Sequence, residues 1–156
     1  MSWGPKGTGA TPPVPLAATG STSVASLNWV EVFAVLLVSH LAGDFLLQTD
    51  WQARHKQNGL TGDPVARRAL LTHVATYTLA FVPALVWIGI EYDLARAVAI
   101  GALVAVPHMI QDDGRLLDAY MARVKGLSTT SPGLRVAVDQ SFHALTLFGT
   151  ALLVVA

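Results

Sequence analysis

The sequence contains no cysteine, which excludes disulfides, thiolate nucleophiles and every Cys-ligated zinc or iron–sulfur site. Charge is scarce too. Asp, Glu, Lys and Arg make up 13 % of the 156 residues, against 53 % apolar, about half the usual charged share. Ten Lys/Arg balance ten Asp/Glu, leaving no basic field for nucleic acid and no acidic field for basic partners. No glycine-rich phosphate loop, nucleophile elbow or HExxH element occurs. Any metal must therefore be held by imidazole and carboxylate. A chain this apolar cannot stay disordered over most of its length.

What is present divides into a tail and four apolar segments. Residues 1–26 are rich in Gly, Pro, Ser, Thr and Ala, with Lys6 the one charged side chain. They read as a flexible tail without the basic start and apolar stretch of a secretory signal. The apolar segments run over 27–48, 69–90, 94–112 and 136–156, each close to the ~20 helical residues that a bilayer core requires. Gly43, Pro83, Gly101 and Pro107 interrupt them, as membrane helices tolerate. A soluble bundle would need a polar stripe on every helix, yet 80–90 and 145–156 are apolar almost all round. The expected fold is all-α: an integral membrane, antiparallel four-helix bundle occupying 27–156.

Basic residues orient it. Arg54, Lys56, Arg67 and Arg68 lie between the first two segments, and Arg115, Arg123, Lys125 and Arg135 between the last two. The other side carries only Lys6 and Arg96. The positive-inside rule then predicts a multi-pass protein of the cell membrane with both termini outside and both long loops cytoplasmic. In the second loop Leu116, Leu117, Tyr120, Met121 and Val124 share one helical face, predicting a short interfacial cytoplasmic helix.

Four of the five histidines fall inside the apolar segments: His40, His73, His108 and His143. Three have an Asp four residues away: His40 with Asp44, His108 with Asp112, and Asp139 with His143. That spacing puts both side chains on one helix face. The reversed order in the last pair fits a last helix running away from the cytoplasm. Each Asp is then nearer the cytoplasm, with its His about 6 Å deeper, four residues at about 1.5 Å each. His73 falls near the level of the carboxylates. A carboxylate in a membrane costs about 2.5–3.5 kcal/mol, so these groups are expected to face inward and satisfy one another or a ligand. Imidazole with carboxylate suits a divalent metal such as Zn, Mn or Fe. Seven candidate ligands exceed one zinc's four: either two metals bind, or some carboxylates orient ligating imidazoles. Tyr77, one turn beyond His73, could hydrogen-bond an Asp or act as an acid, and Gly43 allows close helix approach.

Three elements carry a family likeness. The run HLAGDFLLQTDW from His40 to Trp51, the HVATY run from His73 to Tyr77, and DQSFH from Asp139 to His143 resemble the small bacterial membrane proteins of domain-of-unknown-function family 3307. The likeness spans about 30–147. It implies a bacterial inner-membrane fold and a motif set, but no reaction. Family members resemble His-x-x-x-Asp followed by an aromatic and Lys, whereas here Asp112 is followed by Asp113, Gly114 and Arg115. Either Asp112 or Asp113 could therefore be the working carboxylate.

The leading expectation is a membrane metal-binding protein, whose enzymatic form would be a hydrolase acting on a lipid or lipid-linked substrate at the cytoplasmic leaflet. His40, His108 and His143 would be the inner ligands, and Asp44, Asp112 and Asp139 ligands or orienters. Asp44 or Asp112 would serve as base, and His73 would complete the ligand set or donate a proton. Two rival classes use the same residues: a small proton or cation transporter or channel component, and a non-catalytic scaffold. Small residues such as Gly101 and Gly149 would allow a homo-oligomer.

Overall fold

The computed structural model describes residues 28–127, 129 and 131–156, with Met1 and Gly4. The expected tail, 1–26, lies outside the described residues apart from those two. Of the described residues 82 % are helical and none is in a strand.

Helix α1, Trp29–Leu41, starts at a reciprocal cap: Asn28 Oδ1 accepts from the Val30 and Glu31 amides, and Glu31 accepts back from the Asn28 amide. It runs directly into a wider π turn, Ala42–Leu46, closed by the Leu47 amide donating to the Ala42 carbonyl at 3.0 Å. The segment after it is more ordered than a loop. Thr49 and Gln52 form a second reciprocal cap on α2, Asp50–His55. A short 3₁₀ turn, Gly59–Thr61, follows.

Helix α3, Pro64–Ala80, begins five residues before the expected segment because Asp63 caps it and Pro64 occupies its first position. The expected single span to residue 90 is broken. Helix α4, Val82–Glu91, is tilted by 48° to α3. Pro83 has no amide to donate to Leu79, and its ring crowds that carbonyl. Helix α5, Leu94–Asp112, is capped by Asp93. Gly114, at φ 82°, turns the chain into α6, Arg115–Arg123. Helix α7, Pro132–Val155, closes the chain.

Helices α1 and α5 pack on α7, α4 and α3 pack on α5, and the π turn packs on α3. Three of these helices, α1 with its π turn, α5 and α7, are long and apolar enough to cross a membrane, and the bent pair α3–α4 makes a fourth if counted as one span. Their shared interior is divided. One end is filled by Val32, Leu36, Phe81, Ile88, Val104 and Val154. The other holds histidines and aspartates at 7 % exposure or less: His40, His73, His108, His143, Asp44 and Asp112. The outside carries large apolar side chains such as Val38, Leu79, Ile90, Val98 and Leu145. In α6, Leu117 and Met121 turn inward while Leu116, and Val124 just past the helix end, stay exposed.

Candidate metal centre

Each element delivers its donors for a local reason. The i, i+4 spacing in α5 puts His108 and Asp112 on one face, and α7 does the same for Asp139 and His143. Asp44 sits in the π turn, and Gly43 lets that turn press against α3. A Cβ on Gly43 would lie 2.6 Å from Tyr77 Cδ2 and 3.3 Å from Tyr77 Cα. This close approach carries Asp44 to His73.

Four donor atoms meet at the centre. His73 Nε2 lies 2.8 Å from Asp112 Oδ2 and 3.2 Å from Asp44 Oδ1. His108 Nε2 lies 3.1 Å from Asp112 Oδ2 and 3.4 Å from Asp44 Oδ1. The two Nε2 atoms are 3.0 Å apart. These are five of the six edges of a tetrahedron. Donors about 2.0–2.1 Å from a tetrahedral zinc stand about 3.3–3.4 Å from one another, so the set needs only slight expansion to accept an ion. Asp44, His73, His108 and Asp112 are all buried. Asp44 Oδ1, though close to both imidazoles, has no hydrogen-bond partner. Electron-rich atoms packed this closely repel unless protons or a cation lie among them.

His143 and Asp139 stand beside this set. His143 Nε2 is 3.6 Å from Asp112 Oδ1, and its Nδ1 is 2.9 Å from the Asp139 carbonyl oxygen and 3.8 Å from its carboxylate. His40 is placed differently. Its Nδ1 is 3.1 Å from the Tyr77 hydroxyl and its Nε2 is 3.0 Å from Gln140 Oε1, so both nitrogens have partners. Gln140 in turn donates to Asp44 Oδ2 at 3.3 Å. Tyr77 also stacks on His108, with centroids 3.4 Å apart and planes within 3°. The expected inner triad of His40, His108 and His143 thus has His40 one step behind the donors and His73 at their middle.

The choice between the adjacent carboxylates has a geometric answer. Asp112 faces the imidazoles, whereas Asp113 accepts from the Leu60 amide at 2.8 Å and pairs with Arg115. It ties the 3₁₀ turn to the start of α6. Three participants were not singled out as site residues in the sequence. Lys56 donates to Asp112 Oδ2 at 2.8 Å, Gln48 Nε2 is 3.2 Å from the His73 ring nitrogens, and Gln140 bridges His40 and Asp44. Gln140 lies three residues before His143, a spacing that shares its face. Nothing in the spacing of Lys56 marks it. A cleft of about 290 Å³ opens onto the cluster, lined among others by Gln48, Lys56, Asp112, Arg135, Asp139 and Gln140.

The chain belongs to the family described as proteins of unknown function, DUF3307, which matches over residues 32–155. No curated protein and no solved structure matches it.

Proposed function

We propose that this member of DUF3307 is a multi-pass membrane protein that holds a divalent ion between Asp44, His73, His108 and Asp112. The near-tetrahedral meeting of four buried donors, with distances of 2.8–3.4 Å, carries this reading. Zn, Mn and Fe all suit two imidazoles and two carboxylates. The inverted distribution of residues, with His and Asp inside and Val38, Leu79, Ile90 and Leu145 outside, supports a lipid surround. In this reading α1, α3–α4, α5 and α7 form an antiparallel four-helix bundle, and the cleft opens toward the cytoplasmic leaflet. Gln48, Lys56, Gly114 and Arg135, from the two cationic loops, line that mouth.

A metal-dependent hydrolase acting on a lipid or lipid-linked substrate is the activity this arrangement serves best. A bound ion would supply Lewis acidity. Asp139 stands half-buried at the cleft where water enters, and Lys56 beside it can hold a negative group of the substrate. Tyr77, Gln140 and His40 form a chain that fixes Asp44 from behind. Conduction through the molecule is disfavoured by the apolar end. Phe81, Val32, Leu36, Ile88 and Val154 are completely buried there and offer an ion no polar group.

Elemental analysis of protein purified without chelator tests the reading. About one or more divalent ions per chain are expected, falling at least tenfold in His73→Ala combined with Asp112→Asn. Less than about 0.2 ion per chain in the parent overturns it.

A further inference from the structure

Asp112 has two oxygens with different surroundings. Oδ2 faces His73 and His108, whereas Oδ1 turns toward His143 Nε2, 3.6 Å away. Both Asp112 Oδ1 and His143 Nε2 are buried without a hydrogen-bond partner. The tautomer of His143 is set by its other nitrogen. Nδ1 donates to the Asp139 carbonyl oxygen at 2.9 Å, so the neutral ring presents a lone pair at Nε2. A lone pair and a carboxylate oxygen then confront each other in a buried space. Asp139 adds a third donor, and one ligand atom each from Asp112, Asp139 and His143 fall within 4.8 Å of one another. The ion seat assigned above uses neither Asp112 Oδ1 nor His143 Nε2.

We propose that the cluster is a two-ion centre sharing Asp112, and that the cleft presents a phosphate group to it. The proposal rests on the metal-binding reading. Oδ2 of Asp112 serves the seat formed with Asp44, His73 and His108, and Oδ1 serves a second seat with Asp139 and His143. The second seat has only three protein donors, and Asp139 lines the cleft. Sites that act on a bound ligand keep such open positions, and paired ions are the usual clamp for phosphoryl oxygens.

Charge selects the ligand class. With neutral imidazoles, three carboxylates oppose two divalent ions and Lys56, leaving two positive charges uncompensated. Arg135 on the cleft wall is already paired with Asp118. A buried excess of that size is costly without a counter-charge, and a phosphate monoester dianion supplies it. Lys56, at the cleft with its ammonium already on Asp112, is placed to donate to a phosphoryl oxygen as well. The same group could arrive as a soluble phosphate or as a lipid headgroup.

The test uses full-length protein in phosphatidylcholine discs, stripped of metal and reloaded with Mn(II). About two ions per chain and an exchange-coupled electron paramagnetic resonance spectrum are expected. Asp139→Asn with His143→Gln should leave about one ion with the uncoupled six-line spectrum. Inorganic phosphate should change the coupled spectrum of the parent, and the change should weaken in Lys56→Gln. If discs doped with phosphatidic acid give the change and inorganic phosphate does not, the source is the lipid headgroup; the converse assigns a soluble ligand. One ion per chain, or two uncoupled ions, overturns the shared carboxylate. A coupled spectrum unmoved by either phosphate source overturns the ligand. No bound ion at all overturns the metal reading beneath it.

Discussion

At one end of the helical interior Val32, Leu36, Phe81, Ile88, Val104 and Val154 pack with at most 2 % of their surface exposed. At the other, similar depth is occupied by four imidazoles and two carboxylates. The apolar end is complete as it stands: dispersion and close packing need no partner from outside. The polar end is not. Among the described residues, five buried side-chain atoms there lack partners, namely Asp44 Oδ1, His108 Nδ1, Gln111 Oε1, Asp112 Oδ1 and His143 Nε2. Each such atom costs about 1–3 kcal/mol in a protein interior. A fold able to seal one end with aliphatic side chains has no structural need for this at the other. A bound ligand would satisfy unpaired atoms of this kind, and four of the five belong to the residues around the two proposed seats.

The comparison predicts that damage at the apolar end leaves ion binding alone. Phe81→Ala gives the largest loss of stability. In the membrane reading the unfolded side chain also rests in lipid, so the transfer contribution drops out and the cavity contribution remains. A residual cavity of roughly 80–100 Å³ at about 24 cal/mol per Å³ costs about 2 kcal/mol. Reversible unfolding in mixed micelles should show this loss equally with and without chelator, and the ion content of the folded fraction should not change. A fall in ion content would mean that the two ends are not independent.

Gly43→Ala gives a smaller loss with a different signature. The added methyl meets Tyr77 at 2.6 Å from its ring and 3.3 Å from its backbone, so the π turn must move off α3. Overpacking of this kind costs about 1–2 kcal/mol, and the displaced Asp44 should lower ion affinity about tenfold. Gly101 is the control. A Cβ there lies 3.4 Å from Leu85 Cδ1, in ordinary contact, and Gly101→Ala should stay within about 0.5 kcal/mol of the parent with unchanged affinity. Equal behaviour of the two alanine variants, measured by unfolding and ion titration, breaks the distinction between the ends.

These differences also explain how far the sequence could be read. Helical spacing placed His108 with Asp112 and Asp139 with His143 because those pairs sit in regular helix. It also paired His40 with Asp44, and His40 Nδ1 does lie 3.7 Å from Asp44 Oδ2, but it gave no sign of the π turn that carries Asp44 Oδ1 on to His73 and His108. It missed the break at Phe81 because a proline in an apolar run is compatible with a straight, a kinked or a broken helix. The caps at Asn28, Thr49, Asp63 and Asp93 have local signatures, and Thr49 with Gln52 signals α2 without any tertiary information. Lys56 reaches Asp112 across 56 positions in the chain, and no periodicity encodes such a contact. The partners of His40 are of the same kind. Tyr77 and Gln140 satisfy it from two other helices, so its role depends on packing rather than on its own spacing to Asp44.

Tyr77 belongs to both ends and gives the finest test. Its ring is part of the apolar core and stacks on His108, while its hydroxyl lies 3.1 Å from His40 Nδ1. Because His40 Nε2 faces the oxygen of Gln140, Nε2 carries the ring proton and Nδ1 accepts from the tyrosine. Tyr77→Phe removes that donor and keeps the stack. Side-chain hydrogen bonds inside membrane proteins average about 0.6 kcal/mol, so the expected loss of stability is small. Its distribution is the informative quantity. If the His40–Gln140–Asp44 chain transmits the change, ion affinity should fall about threefold, the equivalent of about 0.6 kcal/mol, and Tyr77→Leu should weaken binding further by removing the stack on His108. If Tyr77→Phe lowers stability while a titration of ion binding is unchanged, Asp44 is held by its backbone alone, and the boundary between the two ends runs between Tyr77 and His40.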